Sequence, residues 1–288
     1  MVERFYEFAG VVWRVCTPKD MLYRESGVLA PFMVSSDNEP NHTLEFEAVD
    51  RVDLPEGDRL FSESNKQFYS DGNAWIRYQG STRASLDTAY MRIRRERTLS
   101  QVQIKNTQLS DGLTTKMVLN ALEAEHHIVS HGGFLLHSSF VRWGDGAILF
   151  TAPSQTGKST QADLWSRLRG AEQINGDRAA VMVDRNGAQA WGIPFCGSSG
   201  ISKNVNVPLR AIVYLSQAPE TNISRLTGLR AFSRVWEGCC VNSWDRGDLE
   251  QCTDAVMNVI ASVPVFHLAC TPDETAVIAL ERAMEEKR

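Results

Sequence analysis

Apolar and polar positions alternate with a period of two over much of residues 1–112. The pattern predicts β-strands, separated by turn residues, at 6–16, 44–49, 67–69, 74–78, 90–93 and 102–104. Between two of these strands, Asp71-Gly72 favours the positive φ angles of a tight hairpin. Residues 1–112 are therefore predicted to form a mainly antiparallel β domain, and no group of residues in them suggests chemistry.

The pattern changes after residue 112. A stripe of helical period that includes Val118, Leu122 and Val129 predicts one helix over 114–130. Further strands are predicted at 134–141, 147–151, 179–183, 188–191, 210–215 and 265–268. Further helices are predicted at 160–168, 229–240, 248–262 and 273–285. We therefore predict an α/β (α+β) domain with a mixed sheet over residues 113–288, and Asn186-Gly187 predicts a second hairpin.

The composition is that of an ordinary soluble protein. Apolar residues make up 43% of the chain and charged residues 23%, and 30 scattered Lys and Arg stand against 35 Asp and Glu. This balance predicts no nucleic-acid partner. The six cysteines show no metal-ligand spacing, no apolar run could span a bilayer, and residues 1–20 lack a signal-peptide core. A cytoplasmic protein without a membrane partner is expected.

One segment carries a phosphate-loop motif. It consists of Ala152, Pro153, Ser154, Gln155, Thr156, Gly157, Lys158 and Ser159, with Thr160 next in the chain. Ala152 replaces the more usual first glycine. Chance gives this pattern in about 2% of chains of this length. Its position between a predicted apolar strand and a predicted helix favours a bound nucleoside triphosphate over a coincidental turn.

Each residue type in this motif has a physical reason. Gly157 lets the backbone curl so that successive N–H groups face phosphate oxygens. Lys158 brings a positive charge to the β- and γ-phosphates, and the hydroxyl of Ser159 can ligate Mg²⁺. The helix that follows adds the positive end of its dipole. ATP and Mg²⁺ are therefore the predicted cofactors.

The order of several segments resembles one family. His137 lies at the start of a predicted strand and is followed by a turn, a second strand and the phosphate loop, and Asp177 comes after the loop helix. Further similar segments are 174–178, 192–197, 207–215, 263–268 and 271–274. This order, over residues 132–288, resembles the catalytic domain of HPr kinase/phosphorylase and its smaller kinase relatives. The resemblance implies a phosphoenolpyruvate-carboxykinase-like nucleotide fold.

Two departures from that family narrow the expectation. HPr kinases have two adjacent aspartates where this chain has Gly176 and Asp177, and it has no clear counterpart of their late glycine- and arginine-bearing signature. Both departures weaken a phosphorylase activity and HPr itself as the substrate. A dedicated kinase fits better, and some similar relatives phosphorylate a serine of a lasso-peptide precursor.

The resemblance also implies roles for individual residues. Asp177 is the candidate base that orients the acceptor hydroxyl and shares in Mg²⁺ binding, although an aspartate beside Arg178 also suits a surface turn. His137 is the candidate partner of a phosphate oxygen or of the carboxylate, or else a structural residue. Lys203 and Arg210 flank the Gly/Pro loop and are candidates for binding phosphate, although exposed cations often contribute little.

The sequence as a whole predicts an ATP- and Mg²⁺-dependent kinase that phosphorylates a hydroxyl, most simply a serine of a protein or precursor peptide. Two alternatives stay open, a small-molecule kinase and a nucleotide-binding regulatory module. The missing second aspartate favours the module. Relatives that use pyrophosphate also leave the phosphate donor open. The N-terminal domain is expected to recognise the acceptor or to mediate assembly, including into a homo-oligomer.

Overall fold

The computed structural model describes residues 1–55, 57–80 and 88–286, and it divides into two compact units, Met1–Glu123 and Ala124–Arg288. The strands of the first unit are β1 (Val2–Phe8), β2 (Val11–Thr17), β3 (Tyr23–Arg24), β4 (Met33–Val34), β5 (His42–Val49), β6 (Asp58–Glu63), β7 (Lys66–Ser70), β8 (Trp75–Gly80), β9 (Ala89–Arg95), β10 (Leu99–Lys105) and β11 (Leu113–Thr114). The strands of the second unit are β12 (Gly133–Trp143), β13 (Gly146–Thr151), β14 (Glu172–Asn175), β15 (Arg178–Asp184), β16 (Gly187–Gly192), β17 (Asn206–Gln217), β18 (Asn222–Leu226), β19 (Cys239–Cys240) and β20 (Val265–Cys270). The helices are α1 (Thr115–Ala121), α2 (Ala124–Ser130), α3 (Lys158–Arg169), α4 (Gly228–Trp236), α5 (Arg246–Ser262) and α6 (Glu274–Glu285). Within the described ranges, no helix has the length and apolar character needed to cross a bilayer.

The first unit is built on one large sheet. Its described strands pair in the order β4-β1-β2-β5-β10-β9-β8-β7-β6, and every neighbouring pair is antiparallel except β2–β5 and β5–β10. The mainly antiparallel character predicted from the sequence is confirmed. The predicted strand at 6–16 is in fact the hairpin β1–β2, because Ala9 and Gly10 both take positive φ, of 53° and 71°.

The predicted single helix over 114–130 is wrong. It is two helices, α1 and α2, because Glu123 between them has a φ of 46°, which no α-helix accommodates. The carboxylate of Glu123 is buried and pairs with Arg77 (3.8 Å) and Arg95 (3.5 Å). Arg77 also donates a hydrogen bond to the carbonyl of Asn120 near the end of α1. These contacts join α1 to the first unit, so the compact units divide after Glu123 and not after residue 112.

The second unit is a mixed sheet flanked by helices, which confirms the predicted α/β class. Its described strands pair in the order β13-β12-β15-β16-β17-β20-β18, and an additional pairing of β13 with β17 closes part of this path into a ring. The pairs β13–β17 and β17–β20 are parallel. The carboxyl ends of β13, β17 and β20 therefore meet at one edge of the sheet.

Both faces of β13 are buried. Leu149 belongs to a core cluster that includes Phe134 and Val256 of α5, whereas Phe150 belongs to a second cluster that includes Trp165 of α3 and Leu280 of α6. A strand covered on both faces favours apolar residues along its length, which is why residues 147–150 form a continuous apolar run. Packing of α3 on one face holds the start of that helix directly after β13.

Candidate active site

The phosphate loop joins β13 to α3. β13 ends at Thr151, α3 begins at Lys158, and residues 152–157 connect them. Gly157 is the N-cap of α3 with a φ of 119°, and Gln155 has a φ of 64°. A φ of 119° is open to glycine and strained for other residues. These two positions curl the backbone into the start of the helix, a role that the sequence predicted for Gly157 and not for Gln155.

Lys158 folds back onto the loop. Its ammonium group donates hydrogen bonds to the carbonyl oxygens of Ala152 (3.0 Å) and Pro153 (3.4 Å). Burial lowers the pKa of Lys158 below its ordinary value, while the negative charge of Asp177 raises it. The ammonium therefore lies at the mouth of the loop and within electrostatic reach of Asp177.

The start of α3 offers groups that fit a triphosphate and its cation. Ser159 and Thr160 are exposed in the first turn of this helix, where backbone N–H groups and the helix dipole favour an anion. A Cβ built on Gly157 meets nothing within 4 Å, so the approach to the loop is open. The hydroxyl of Ser159 and the carboxylate of Asp177 are oxygen donors of the kind Mg²⁺ prefers. These residues fit MgATP.

Asp177 is presented by a tight turn between β14 and β15. The side-chain oxygen of Asn175 accepts hydrogen bonds from the backbone N–H groups of Asp177 (2.9 Å) and Arg178 (3.0 Å), while its amide donates to the carbonyl of Ile193 (2.7 Å). The carbonyl of Asp177 accepts a further bond from the N–H of Ser138 (3.0 Å). Asn175 is buried and fixes the direction of the turn. Sequence reasoning noted the segment that contains Asn175 without assigning it this role.

His137 and Asp177 are brought together by the pairing of β12 with β15. His137 lies opposite Arg178 in this register, and its Nε2 is 3.6 Å from Oδ1 of Asp177. Burial lowers the pKa of His137, with further lowering by the charges of Lys158 and Arg178, while Asp177 raises it. The net shift favours a neutral imidazole at pH 7. His137, Lys158 and Asp177 therefore form one electrostatic group beside the loop.

Arg178 and Glu125 extend this group. Nε of Arg178 is 3.3 Å from Oδ2 of Asp177, and its Nη1 is 3.3 Å from Oε1 of Glu125 on α2. The guanidinium also lies over the ring of Phe195, 5.7 Å from its centroid. Arg178 thus holds one carboxylate oxygen of Asp177, and Oδ1 is the oxygen nearest to His137. Glu125 and Phe195 were missed by sequence reasoning, since nothing local marks residues so far apart in the chain as partners.

Cys240 lies near the charged side chains of Arg178, Glu125 and Asp177, but its own thiol is uncharged. Burial raises the pKa of its thiol to about 11, and the charges of Arg178, Glu125 and Asp177 also act on it. The thiol is therefore protonated at neutral pH, and a thiolate nucleophile is not available at this position.

Gly176 has no room for a side chain. A Cβ at Gly176 would lie 2.3 Å from Oγ and 2.6 Å from Cβ of Ser199. Gly197, in the same short turn as Ser199, lies so close to Asp177 that its own Cβ would be 2.9 Å from the carboxylate. The turn at Gly197–Ser199 therefore occupies the space that an aspartate at position 176 would need. With Ser199 in this position, a second carboxylate at residue 176 has no space.

Lys203 and Arg210 are engaged elsewhere. Nζ of Lys203 donates to Oε1 of Glu172 at 2.8 Å, which lowers the pKa of that carboxyl. Arg210 lies near the start of β17, at the opposite end of the strand from the edge that carries the phosphate loop, and its guanidinium stacks over Trp143 at 4.6 Å. The structure does not bring these two cations together with His137, Lys158 and Asp177.

A further group of potential ligands joins α2 to α5. His126, Asp245 and Asp248 offer ligand atoms that lie within 4.8 Å of one another. Oδ1 of Asp248 is 2.8 Å from Nδ1 of His126, its Oδ2 accepts from the amide of Asn242, and Asp245 caps the start of α5. These hydrogen bonds explain why the three side chains lie together: they connect α2 to α5.

Comparison with known proteins finds matches among solved structures. No protein-family model matches the chain, and no curated protein matches it. Among solved structures, the chain is similar to the HPr(Ser) kinase/phosphatase from Coxiella burnetii, with 13% identity and a TM-score of 0.30. That match covers 53% of this chain and 93% of the other. At this identity and TM-score, the function has to be inferred from the contacts of the chain's own residues.

Proposed function

We propose that this protein is an ATP- and Mg²⁺-dependent kinase that transfers the γ-phosphoryl group to a hydroxyl, most simply a serine of a protein or precursor peptide. The observation that carries the proposal is the meeting of His137, Lys158 and Asp177 at the phosphate loop. Lys158 comes from the loop, His137 from β12 and Asp177 from the turn before β15. An ammonium that can neutralise phosphate charge and a carboxylate that can take the acceptor's proton, at a glycine-capped helix start, suit phosphoryl transfer, and a neutral imidazole can add a hydrogen bond.

In the proposed reaction, Asp177 accepts the proton of the acceptor hydroxyl through Oδ1. The hydroxyl oxygen then forms a bond to the γ-phosphorus, while the bond from that phosphorus to the β–γ bridging oxygen breaks and ADP leaves. Lys158 releases the carbonyls of Ala152 and Pro153 and neutralises the negative charge of the phosphates. Ser159 and Asp177 would hold a bound Mg²⁺, which would supply further charge neutralisation on the phosphate oxygens.

The neighbouring residues would position Asp177. Nε of Arg178 holds Oδ2 at 3.3 Å, so the carboxylate cannot rotate freely. Neutral His137, 3.6 Å from Oδ1, is placed to donate a hydrogen bond to a phosphate oxygen or to the carboxylate. Because phosphoryl transfer depends mainly on positioning and charge, these contacts contribute through geometry.

The decisive experiment follows label from γ-labelled ATP, with Mg²⁺, into candidate serine peptides and small-molecule hydroxyls. The wild type is compared with Lys158→Ala and Asp177→Asn. The matched controls are Lys116→Ala and Asp184→Asn, whose parent residues are exposed. In the second control, the amide oxygen introduced at position 184 can still accept the hydrogen bond from the N–H of Asn186. We expect both site variants to lose transfer and both controls to retain it.

Other outcomes select the alternatives. Label on small molecules and on no peptide would indicate a small-molecule kinase, and nucleotide binding without transfer to any acceptor would indicate a regulatory module. A parallel arm with pyrophosphate tests the donor. Full activity of Asp177→Asn beside an inactive Lys158→Ala would overturn the assignment of Asp177 as the base.

The first unit is proposed to recognise the acceptor or to mediate assembly, since its described residues show no comparable catalytic group. The test is a pull-down of a known acceptor with the full chain and with variants of the first unit's exposed residues, alongside measurement of the oligomeric state. Unchanged acceptor binding and an unchanged oligomeric state across such variants would count against this role.

A further inference from the structure

Tyr214 lies level with the start of the phosphate loop. β13, β17 and β20 are parallel, and their register places Tyr214 beside Thr151 on one side and His267 on the other. Thr151 is the last residue before the loop. In α/β sheets, ligands bind outside the carboxyl ends of parallel strands. The row Thr151–Tyr214–His267 therefore belongs to the edge where a ligand of this sheet is expected.

Arg234 of α4 is stacked on Tyr214. Its guanidinium carbon lies 4.7 Å from the centroid of the tyrosine ring, and its Nη1 is 3.4 Å from the tyrosine hydroxyl and 2.6 Å from Oε1 of Glu237. Among the described residues, the hydrogen bonds of Arg234 all come from Nη1. Its side chain is 46% exposed. The ring thus holds a planar guanidinium in one orientation while its Nε and Nη2 donors stay available to a ligand.

The end of α4 is attached to the loop and to the catalytic group. Gly238 follows Glu237, and a Cβ at Gly238 would lie only 2.4 Å from Oγ1 of Thr151. The carbonyl of Gly238 accepts a hydrogen bond from the N–H of His137 at 2.7 Å. The turn after Arg234 is therefore packed between Thr151 and His137, which fixes the distance from Arg234 to the phosphate loop.

Two groups that contain cations thus lie on the two sides of β13. One contains Lys158 and Arg178, and the other contains Arg234. The pKa of His137 responds, after burial, to Lys158, Asp177 and Arg178, whereas the pKa of His267 is lowered by burial and then by Arg234. Lys158 and the helix start suit the phosphates of the donor. The group around Arg234 contains no carboxylate placed like Asp177, so it suits binding and not transfer.

We propose that Arg234, held on Tyr214, binds a carboxylate of the phosphate acceptor next to the hydroxyl that is phosphorylated. This inference rests on the proposed kinase function and specifies its acceptor class as an acidic one. A guanidinium with two available donors matches a carboxylate in a bidentate pair. The present pair with Glu237 uses Nη1 and is exposed on both sides, so it leaves Nε and Nη2 to an incoming carboxylate.

The experiment compares two pools of fluorescent serine peptides that differ only in Glu or Gln beside the serine. Binding to the full chain is measured by anisotropy in the presence of a non-hydrolysable ATP analogue. The wild type should bind the Glu pool about tenfold more tightly than the Gln pool, the effect of one charge-assisted hydrogen-bonded pair. Arg234→Gln should remove that preference and leave the affinity for the ATP analogue unchanged. Arg246→Gln is the matched control, since Arg246 forms a similar exposed pair with Glu250.

Two variants of Tyr214 distinguish loss of the proposed subsite from loss of folding. Tyr214→Phe keeps the ring under Arg234 and should keep most of the preference, whereas Tyr214→Leu should lose it, with thermal unfolding measured for each. Equal binding of the two pools by the wild type, or weaker nucleotide binding by Arg234→Gln, would overturn the assignment. A Glu preference that depends on Arg234 without any label transfer would support the subsite and refute the kinase.

Discussion

Nε2 of His137 lies 3.6 Å from Oδ1 of Asp177, and the backbone, more than the two side chains, sets this distance. The N–H of Ser138 donates to the carbonyl of Asp177 at 3.0 Å, and His137 pairs with Arg178 in the β12–β15 ladder. Both anchors are main-chain groups. Replacing either side chain should therefore leave the other in place, which makes single substitutions at this site interpretable.

The titration of His137 tests the electrostatic group directly. The charge of Lys158 lowers the pKa of His137 and that of Asp177 raises it. Lys158→Met should therefore raise the pKa of His137, and Asp177→Asn should lower it further. The measurement is an NMR titration of the imidazole resonances, assigned with His137→Gln. Lys116→Met serves as the control, and identical titrations in all variants would contradict the arrangement.

The absence of a second aspartate can be tested by adding it. Gly176→Asp should lower the free energy of unfolding by about 1–3 kcal/mol, because its Cβ would overlap Ser199. Since the overlap includes both Oγ and Cβ of Ser199, the double variant Gly176→Asp/Ser199→Gly should recover part of the loss. Urea unfolding of the single and double variants measures this coupling. Additive losses would mean that Ser199 is not the obstacle.

Gly238 provides a test of the turn that joins α4 to the loop. Gly238→Ala should be destabilising by about 1–3 kcal/mol, because its Cβ would lie 2.4 Å from Oγ1 of Thr151 and 2.9 Å from Cδ1 of Leu136. Gly27→Ala is the control, since a Cβ there meets nothing within 4 Å. The midpoint of urea unfolding and the affinity for an ATP analogue should both fall in Gly238→Ala alone. Equal behaviour of the two variants would refute the close packing.

The variant Lys203→Ala tests whether Lys203 forms an ion pair or binds phosphate. Because Lys203 is paired with Glu172, the variant should bind nucleotide normally and lose at most about 1 kcal/mol of stability. The pKa of Glu172 is lowered in the folded state, so this contribution is fully present above its unfolded pKa of about 4.3 and is lost as the pH falls through the lower folded-state pKa. Urea unfolding at pH 7 and pH 3.5 measures the difference. A large drop in nucleotide affinity would instead place Lys203 at the phosphates.

Much of the fold follows from local patterns in the sequence. The hairpins at Asp71-Gly72 and Asn186-Gly187, the strand before the phosphate loop and the helix after it form where the sequence predicts them. Prediction failed where a long-range contact decided the local conformation. Periodicity continues through Glu123 as if one helix ran over 114–130, yet Glu123 takes a positive φ and its carboxylate pairs with Arg77 and Arg95.

The candidate site, like the fold, was predictable from the sequence only where local sequence patterns or segment order marked its residues. The phosphate loop could be identified because all of its functional groups lie in one short segment, whose glycine, lysine and serine are required by the local geometry of phosphate binding. His137 and Asp177 were found through the order of segments in a family, and the structure places them 3.6 Å apart. Lys203 and Arg210 were selected for their charge and position in the sequence, and their partners Glu172 and Trp143 could not be known from it.

The sequence by itself determined the phosphate-loop motif, the strand and helix around it, and the mixed α/β class of its unit. These depend on the spacing of neighbouring residues. Only the tertiary structure decided that Arg178 bridges Asp177 and Glu125, that Ser199 excludes a side chain at Gly176, and that Arg234 lies on Tyr214. Each of these relations joins different elements of the chain, and their contacts exist only once strand pairing and helix packing have fixed the distances between those elements.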